Sequence, residues 1–391
     1  GSSGLSATDG GSGGGGSSAG GGGTAGGGGT AGGGGTAGGG GTAGGGGTAG
    51  GGGSTGPTSD CTGSTNLEQV VCAANEFLAT LSSTELTAVN LDYTDDAART
   101  EWSNLPGVTR PGTKLGSLSS TSVTSALALM NLVLTDAGYS DLDGIRNADD
   151  YLSENGGGGG YGSGNYLIAI FGTPSTTGDW ALMFGGHHMA YNISYIAGVG
   201  YPTPNHVGVE PKAAFTLNNV TYAPLVDEGT AMTSIFSSLS TADLATAYLT
   251  GQTFSDVLIG PVEYGTGSSA AAKAKYPTGS NRTGVLVSNL SSTQQALVTA
   301  AIEEWVSDFD PSIADNLLAD YTSATAYADT YVAWAGTQSS GPDPDVSGTY
   351  FRIDGPRLWI EIACQAGVVI QGKTHFHTIY RDKQYDYGAT L

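Results

Sequence analysis

The sequence predicts an α+β fold with a mainly antiparallel sheet and packed helices, preceded by an extended glycine-rich arm. Segments with helical spacing and segments with strand spacing occur in separate blocks, which is typical of the α+β class. The composition changes sharply near residue 56, where the glycine-rich sequence ends. We therefore divide the chain into an arm over residues 1–56 and a single globular domain over residues 57–391.

Helical segments are recognised by apolar residues that recur every three or four positions. Asn66 can cap the first helix, in which Val70, Phe77 and Leu81 share one face. Ser122–Leu134 predicts a second helix, ended by Gly138. The other helices are predicted over 228–249 in two pieces, over 291–309 with Ser292 or Thr293 as cap, and over 316–334.

Strand segments are rich in β-branched and aromatic residues, and turn-forming residues bound them. Residues 155–164 form a glycine-rich loop before the first strands, and Asn218-Asn219 predicts a tight turn within 213–222. The predicted strands cover 166–171, 180–195, 213–222, 350–353, 357–364 and 375–380.

The arm repeats the sequence GGGGTA five times between residues 20 and 53. A threefold extended helix would stack the threonines on one edge and the alanines on another, and it would reach roughly 100 Å. The third edge is bare backbone, which permits hydrogen bonding to a neighbouring chain. The alternatives are a floppy spacer and a stalk with sugars on its threonines. The residues predicted to mediate assembly are Thr24, Thr30, Thr36, Thr42 and Thr48.

Charge and hydropathy argue against nucleic acid binding and against a membrane-spanning segment. The net charge is −22 and there is no basic patch, so we expect no nucleic acid partner. No 18-residue apolar run occurs, so we expect no transmembrane segment. The chain begins at Gly1 rather than Met, which favours removal of a secretory signal, although Gly-Ser-Ser-Gly is also typical of a tag remnant. We expect a secreted protein, extracellular or on the cell surface.

Cysteines and sequons give mild support to that location. Cys61 and Cys72 are close enough in sequence to form a disulfide, which leaves Cys364 over. Four asparagines begin an Asn-X-Ser/Thr sequon and are therefore predicted glycosylation sites. They are Asn192, Asn219, Asn281 and Asn289.

Histidine placement predicts a metal site. Four of the five histidines lie in two short motifs, Gly-Gly-His187-His188 and His375-Phe-His377. Residues i and i+2 of a strand share a face, so His375 and His377 can bind one zinc or copper ion. His187 and His188 would point to opposite faces, so one of them can join. Glu361 is a fourth ligand or an acceptor that orients an imidazole. The alternative is half-buried histidines satisfied by the backbone.

A charged motif follows the last histidine. It contains Arg381, Asp382 and Asp386. Arg381 can clamp a carboxylate or phosphate, or a structural Arg–Asp pair can tie down the C-terminal tail. The second interpretation is favoured.

The order of these motifs resembles a known family. It runs from Trp102–Pro106 through Gly185–His188 and Trp359–Glu361 to His375–His377, followed by Arg381-Asp382 and Asp386–Gly388. This order is similar to that of the family catalogued as domain of unknown function 3500, and the resemblance covers about residue 66 to the end. Members of that family are mostly secreted or exported bacterial and fungal proteins, so the resemblance implies a protein of this kind. It implies no particular reaction.

Two hypotheses for the function follow. In the first, the chain is a secreted structural subunit that assembles with copies of itself into a filament or surface layer through its arm. In the second, it is a secreted metal-binding protein or metal-dependent hydrolase. The histidine motifs would hold zinc or copper, and Glu361 or Asp382 would act as base or orient a ligand.

Overall fold

A computed structural model describes residues 56–391 of the chain. Within that range the helices are short to medium in length, and most begin with a capping Ser, Thr or Asp side chain. They are α1 Asn66–Ala79, α2 Ser83–Val89, α3 Asp96–Thr100, α4 Ser120–Val133, α5 Asp136–Leu152, α6 Val226–Ser237, α7 Thr241–Ala247, α8 Ser269–Lys273, α9 Ser292–Val306, α10 Pro311–Tyr321 and α11 Ala324–Tyr327.

The strands form one large sheet and one small hairpin. They are β1 Asn90–Leu91, β2 Thr113–Lys114, β3 Leu167–Phe171, β4 Trp180–Gly186, β5 Met189–Ile196, β6 Val199–Tyr201, β7 Asn205–Val209, β8 Phe215–Leu217, β9 Val220–Tyr222, β10 Val285–Leu286, β11 Tyr331–Ala335, β12 Tyr350–Asp354, β13 Leu358–Ala366 and β14 Thr374–Asp382. In the large sheet the order is β1-β3-β4-β5-β7-β14-β13-β12-β11-β10, with β2 beside β3 and β6 beside β5. Only the β1–β3 pair is parallel among the described strands, so the sheet is mixed but mostly antiparallel and the fold is α+β, as predicted.

The two faces of this sheet carry different layers. On β14, Phe376 and Tyr380 belong to the larger hydrophobic core, which also contains residues of α1, α4, α5, α6, α9 and α10. Thr378 lies on the same face, and its Oγ1 accepts a hydrogen bond of 3.1 Å from Trp305 Nε1 of α9. Ile379 belongs to a smaller core formed with the loops before β2 and after α7. Alternate residues of β14 therefore face helices on one side and loops on the other.

Several predicted elements match the structure. The helix predicted from Asn66 is α1, the helix over 122–134 is α4, and the helix over 291–309 is α9. The predicted caps of α1 and α9 are wrong, because Thr65 caps α1 and Ser291 caps α9. The two-piece helix over 228–249 corresponds to α6 and α7. The turn at Asn218-Asn219 joins β8 to β9, and both asparagines have positive φ.

Two predicted elements are wrong in part. The strand over 180–195 is a hairpin, because the chain reverses at His187-His188 between β4 and β5. The helix over 316–334 ends at Tyr321, and β11 occupies 331–335. The segment from Tyr331 to Ala335 is apolar throughout and largely buried within the sheet. It therefore lacks the alternation that marks a strand, and its alanines also fit a helical pattern.

Gly138 does not end a helix but lies in the first turn of α5, which the sequence did not predict. Thr135 caps α5 by accepting a hydrogen bond from the Gly138 amide. A Cβ on Gly138 would lie 2.4 Å from the Asp308 carbonyl oxygen, so glycine permits a close approach of the backbones. This glycine therefore reflects packing rather than helix termination.

Residues 1–55 of the glycine-rich arm lie outside the described residues, as do its five predicted assembly threonines. No helix in the described range is long and apolar enough to cross a membrane.

Candidate metal centre

All five histidines of the chain meet at one place in the sheet. The β4–β5 turn supplies His187 and His188, β7 supplies His206, and β14 supplies His375 and His377. The centroid of the His377 ring lies 5.0 Å from those of His188 and His375 and 5.4 Å from that of His206, while the His187 and His188 rings stack at 3.7 Å. The two sequence motifs are thus brought together, and the fifth histidine joins them.

Three of these side chains have the geometry of a ligand set. His188, His375 and His377 each offer one ring nitrogen, and these three nitrogens all lie within 4.8 Å of one another. All three residues are buried. His375 and His377 share a face of β14, as their spacing predicted. One ion placed among three imidazole nitrogens is a common arrangement for zinc and copper.

Strand register explains why His188 and His377 converge. The amide of Gly208 on β7 donates to the His188 carbonyl at 2.7 Å, and Gly208 also pairs with His377 on the other side. A Cβ on Gly208 would lie 3.3 Å from the Cδ2 atoms of both imidazoles and 2.5 Å from the Phe376 carbonyl oxygen. The absence of a side chain at Gly208 therefore leaves the space in which the two rings approach.

We expect Gly208→Ala to lower both stability and metal affinity. The added methyl contacts backbone at Phe376, so the strands must shift, and overpacking of this kind costs about 1–3 kcal/mol. Thermal unfolding and zinc titration of the variant measure the two effects. Gly159→Ala is the control, since a Cβ there meets nothing within 4 Å. Equal behaviour of the two variants would show that Gly208 does not shape the site.

The turn that carries His188 has an unusual backbone. His188 has φ +62°, a left-handed conformation that non-glycine residues seldom adopt. The His188 amide donates to the Asn104 carbonyl at 2.9 Å, and the Tyr166 hydroxyl donates to the His187 carbonyl at 2.7 Å. Contacts outside the hairpin therefore hold the turn in a strained form, and such strain is common at functional sites.

Two carboxylates fix the orientation of two rings. Asp149 of α5 lies 2.6 Å from Nδ1 of His187, and Asp256 lies 2.8 Å from Nδ1 of His377. A carboxylate at Nδ1 directs the other ring nitrogen, Nε2, toward a ligand. Burial raises the pKa of Asp256, but His377 and a hydrogen bond from Tyr264 more than offset this effect and hold the pKa below its usual range. Asp256 therefore remains an ionised acceptor.

We expect Asp256→Asn to weaken metal binding about 10- to 100-fold, the usual effect of removing an outer partner of a ligating histidine. The substitution preserves shape and removes the charge that orients His377. Competition with a zinc-binding dye measures the change. The control is Asp315→Asn, which makes the same change at an exposed carboxylate on α10. An unchanged affinity in Asp256→Asn would contradict the orienting role.

Burial keeps three of the imidazoles uncharged. It lowers the pKa of His188 well below the ordinary histidine value, and it lowers the pKa of His206 and His375 to about 3, with further lowering from neighbouring histidines. Their lone pairs are therefore free near neutral pH. Among the described residues, Nδ1 of His375 and both nitrogens of His206 are buried without a hydrogen-bond partner. Such orphaned nitrogens are rare and fit a bound cation.

Glu361 is not brought to the histidines, although it lies on the same face of the sheet. Its carboxylate accepts hydrogen bonds from the Leu258 and Ile259 amides, the Tyr350 hydroxyl and Trp359 Nε1, at 2.6 to 3.0 Å. These four donors occupy its oxygens, so the predicted role of fourth ligand is wrong. Glu361 instead anchors the loop that carries Asp256.

The motif after the histidines is structural. Arg381 is fully buried, and its Nε lies 2.7 Å from Asp386 while its other nitrogens donate to the Thr266 and Gly267 carbonyls. Asp382 pairs with Arg357 at 2.6 Å. The predicted pairing that ties down the C-terminal tail is the one the structure contains, and the predicted role of Asp382 at the metal site is wrong.

The predicted disulfide and sequons have mixed outcomes. Cys61 and Cys72 form a disulfide, and Cys364 is buried and free. Asn192 is buried in β5 and its amide donates to the Pro204 carbonyl, so its predicted glycosylation is wrong because a glycan has no room there. Asn219, Asn281 and Asn289 are exposed.

Three contributors were missed at the level of sequence. They are His206, which is the one histidine outside the two motifs, and the aspartates Asp149 and Asp256. His206 lies in β7, which no predicted strand covered, so neither its face nor its strand neighbours could be inferred. The two aspartates are 38 and 121 residues from their histidines, so no local spacing signals them.

Fold and site together define a class: an α+β protein whose mostly antiparallel sheet carries a buried cluster of histidines with orienting carboxylates. The family described as "Protein of unknown function (DUF3500)" matches residues 63–389, and the chain belongs to this family. Neither curated proteins nor solved structures gave a match to the chain.

Proposed function

We propose that the chain binds one transition-metal ion, with zinc as the first candidate, and that the resulting centre catalyses hydrolysis. The observation that supports this most is the convergence of three buried imidazole nitrogens from His188, His375 and His377. Three protein ligands with a further position for water or substrate are typical of catalytic zinc sites, whereas structural sites have four. Copper is the alternative that imidazole ligands also suit.

His187 is the residue that we propose to move a proton. Its Nδ1 is held by Asp149 at 2.6 Å, and its ring stacks on the ligand His188 at 3.7 Å. An imidazole oriented by a carboxylate is a common general base or acid. Its side chain is 7% exposed, so the ring is not fully sealed from solvent. When bound, zinc would lower the pKa of a bound water and polarise a substrate carbonyl or phosphoryl oxygen.

Metal dependence of hydrolysis tests this proposal. The full chain is stripped with a chelator, reloaded with zinc or copper, and assayed on ester, amide and phosphoester substrates. We expect activity only after reloading, and we expect His187→Gln to retain the metal but lose about 100-fold or more in rate, as for loss of a general base. Hydrolysis that survives metal removal, or full activity in His187→Gln, would overturn the proposed mechanism.

A second proposed role, assembly of a secreted filament, is supported by the sequence of the arm. In an extended threefold helix, five GGGGTA repeats would offer a regular bare edge for docking on a neighbouring copy. The Cys61–Cys72 disulfide is consistent with an oxidising compartment. Negative-stain microscopy of the full chain and of a version starting at Pro57 tests the role. Filaments that need the arm would support it, whereas filaments without the arm, or monomers in both samples, would contradict it.

A further inference from the structure

A second cluster of ligating groups lies among the helices on the other face of the sheet. Asp141 of α5, Glu228 of α6 and Asp308 after α9 each offer one carboxylate oxygen, and these oxygens lie within 4.8 Å of one another. Glu228 and Asp308 are buried. The cluster thus joins three segments that are far apart in sequence.

These carboxylates lack a compensating basic residue. In the described part of the chain, no Lys, Arg or His forms an ion pair with any of the three. The Leu225 amide donates to Asp141 at 3.0 Å. Burial, together with repulsion from nearby carboxylates, raises the pKa of Glu228 and of Asp308 well above the usual range. Buried charges without a partner are costly, so the cluster needs either protons or a cation.

Two buried oxygens without hydrogen-bond partners, one from the cluster itself and one from a tyrosine, indicate a cation. Oδ2 of Asp308 has no hydrogen-bond partner among residues 56–391, although the residue is only 4% exposed. The hydroxyl of Tyr191 on β5 is likewise without a partner in this range, and the residue is fully buried. The Tyr191 ring packs edge-on against that of Phe309, the residue after Asp308, with ring centroids 6.0 Å apart. Burial and the charges of all three carboxylates raise the pKa of the Tyr191 hydroxyl well above its usual value. Buried polar atoms are nearly always satisfied, so two such atoms at one place indicate a ligand.

We propose that Asp141, Glu228 and Asp308 bind a hard divalent cation, with calcium as the probe, and that the Tyr191 hydroxyl lies against the same ion. A set made only of oxygen atoms suits calcium or magnesium, whereas the histidine cluster suits zinc or copper. The ion would join α5, α6 and the α9–α10 connection against β5. The two centres therefore take different metals on opposite faces of one sheet.

Calcium-dependent stability tests this proposal. The full chain is freed of metal, and its thermal midpoint is measured near neutral pH without metal, with CaCl2 and with MgCl2. At a concentration about 100 times the dissociation constant we expect calcium to raise the midpoint by roughly 5 °C. We expect Asp308→Asn to abolish the shift. Asp227→Asn removes an exposed carboxylate in the first turn of α6 and should retain it.

Calorimetric titration with CaCl2 gives a direct second measurement on the unaltered protein. One calcium ion per chain, lost in Asp308→Asn and weakened in Tyr191→Phe, supports the site. The proposal is overturned if neither ion binds or stabilises the full chain, since the carboxylates are then satisfied by protons. It is also overturned if Asp308→Asn responds as the full chain does. Retention of calcium binding in His377→Gln would separate this site from the histidine centre.

Discussion

Replacing His377 with glutamine is expected to lower zinc affinity by more than about 100-fold, beyond the range for an outer partner of a ligand. His377 lies at the middle of the cluster, with ring centroids 5.0 Å from both other ligands, and the carboxylate of Asp256 holds its orientation. Its loss leaves two ligands, His188 in the β4–β5 turn and His375 on β14. Zinc competition with a chelating dye gives the affinity, and circular dichroism reports whether the variant remains folded.

The chain offers a matched control of the same residue type. His187→Gln alters the adjacent imidazole that pairs with Asp149 and lies outside the three-ligand set. We expect this variant to bind zinc within about tenfold of the unaltered chain, because it perturbs only the neighbour of a ligand. If His187→Gln lost zinc as completely as His377→Gln, the assignment of the three ligands would be wrong.

Asp386→Ala is expected to destabilise the fold by about 3–5 kcal/mol, because it leaves a buried guanidinium without its charge partner. Arg381 has no exposed surface, and its Nε lies 2.7 Å from Asp386. Removal of the carboxylate also takes away one of the two acceptors of the Asp382 amide, which donates to Asp386 at 3.1 Å and to Thr203 Oγ1 at 3.3 Å. Urea denaturation followed by fluorescence measures the loss.

An exposed ion pair provides the comparison for that loss. Asp320 pairs with Arg357 but its side chain is 59% exposed, so Asp320→Ala should change the free energy of unfolding by about 1 kcal/mol or less. Similar losses in the two variants would show that burial does not set the strength of the Arg381–Asp386 pair.

The two histidine motifs were predictable because strand periodicity is local. His375 and His377 share a face as soon as β14 is recognised, and the sequence identified that strand. His188 was placed on a continuous strand, whereas it occupies a turn with positive φ. That turn lets it reach a cluster that a straight strand would not bring it to, and it could not be inferred from the alternation of apolar residues.

The two orienting aspartates, Asp149 and Asp256, could not be predicted, because strand periodicity reports only on residues that are close in sequence. Asp149 and Asp256 reach the histidines only because α5 and the loop after α7 pack near the β4–β5 turn and β14, respectively. Tertiary packing of this kind leaves no spacing in the sequence. For Glu361 the sequence indicated the correct face of the sheet but not the role of the side chain. Backbone amides of a loop that is distant in sequence occupy its carboxylate oxygens.

The fold class was accessible because strand and helix blocks are separate, but local errors occurred where propensity is ambiguous. The alanine-containing segment of β11 was given helical spacing, and the glycines of α5 concealed a helix. In both places the secondary structure depends on contacts between residues that are far apart in sequence. β11 pairs with β12, and Gly138 of α5 packs closely against the backbone of Asp308.

X-ray absorption spectroscopy of the full chain, equilibrated with zinc and then dialysed, tests the central claim most directly. The account predicts one zinc ion per chain with three nitrogen neighbours at about 2.0–2.1 Å and the remaining position filled by oxygen. It also predicts loss of that signal in His377→Gln. Absence of stoichiometric zinc and of copper, or a coordination shell without three imidazoles, would contradict the account.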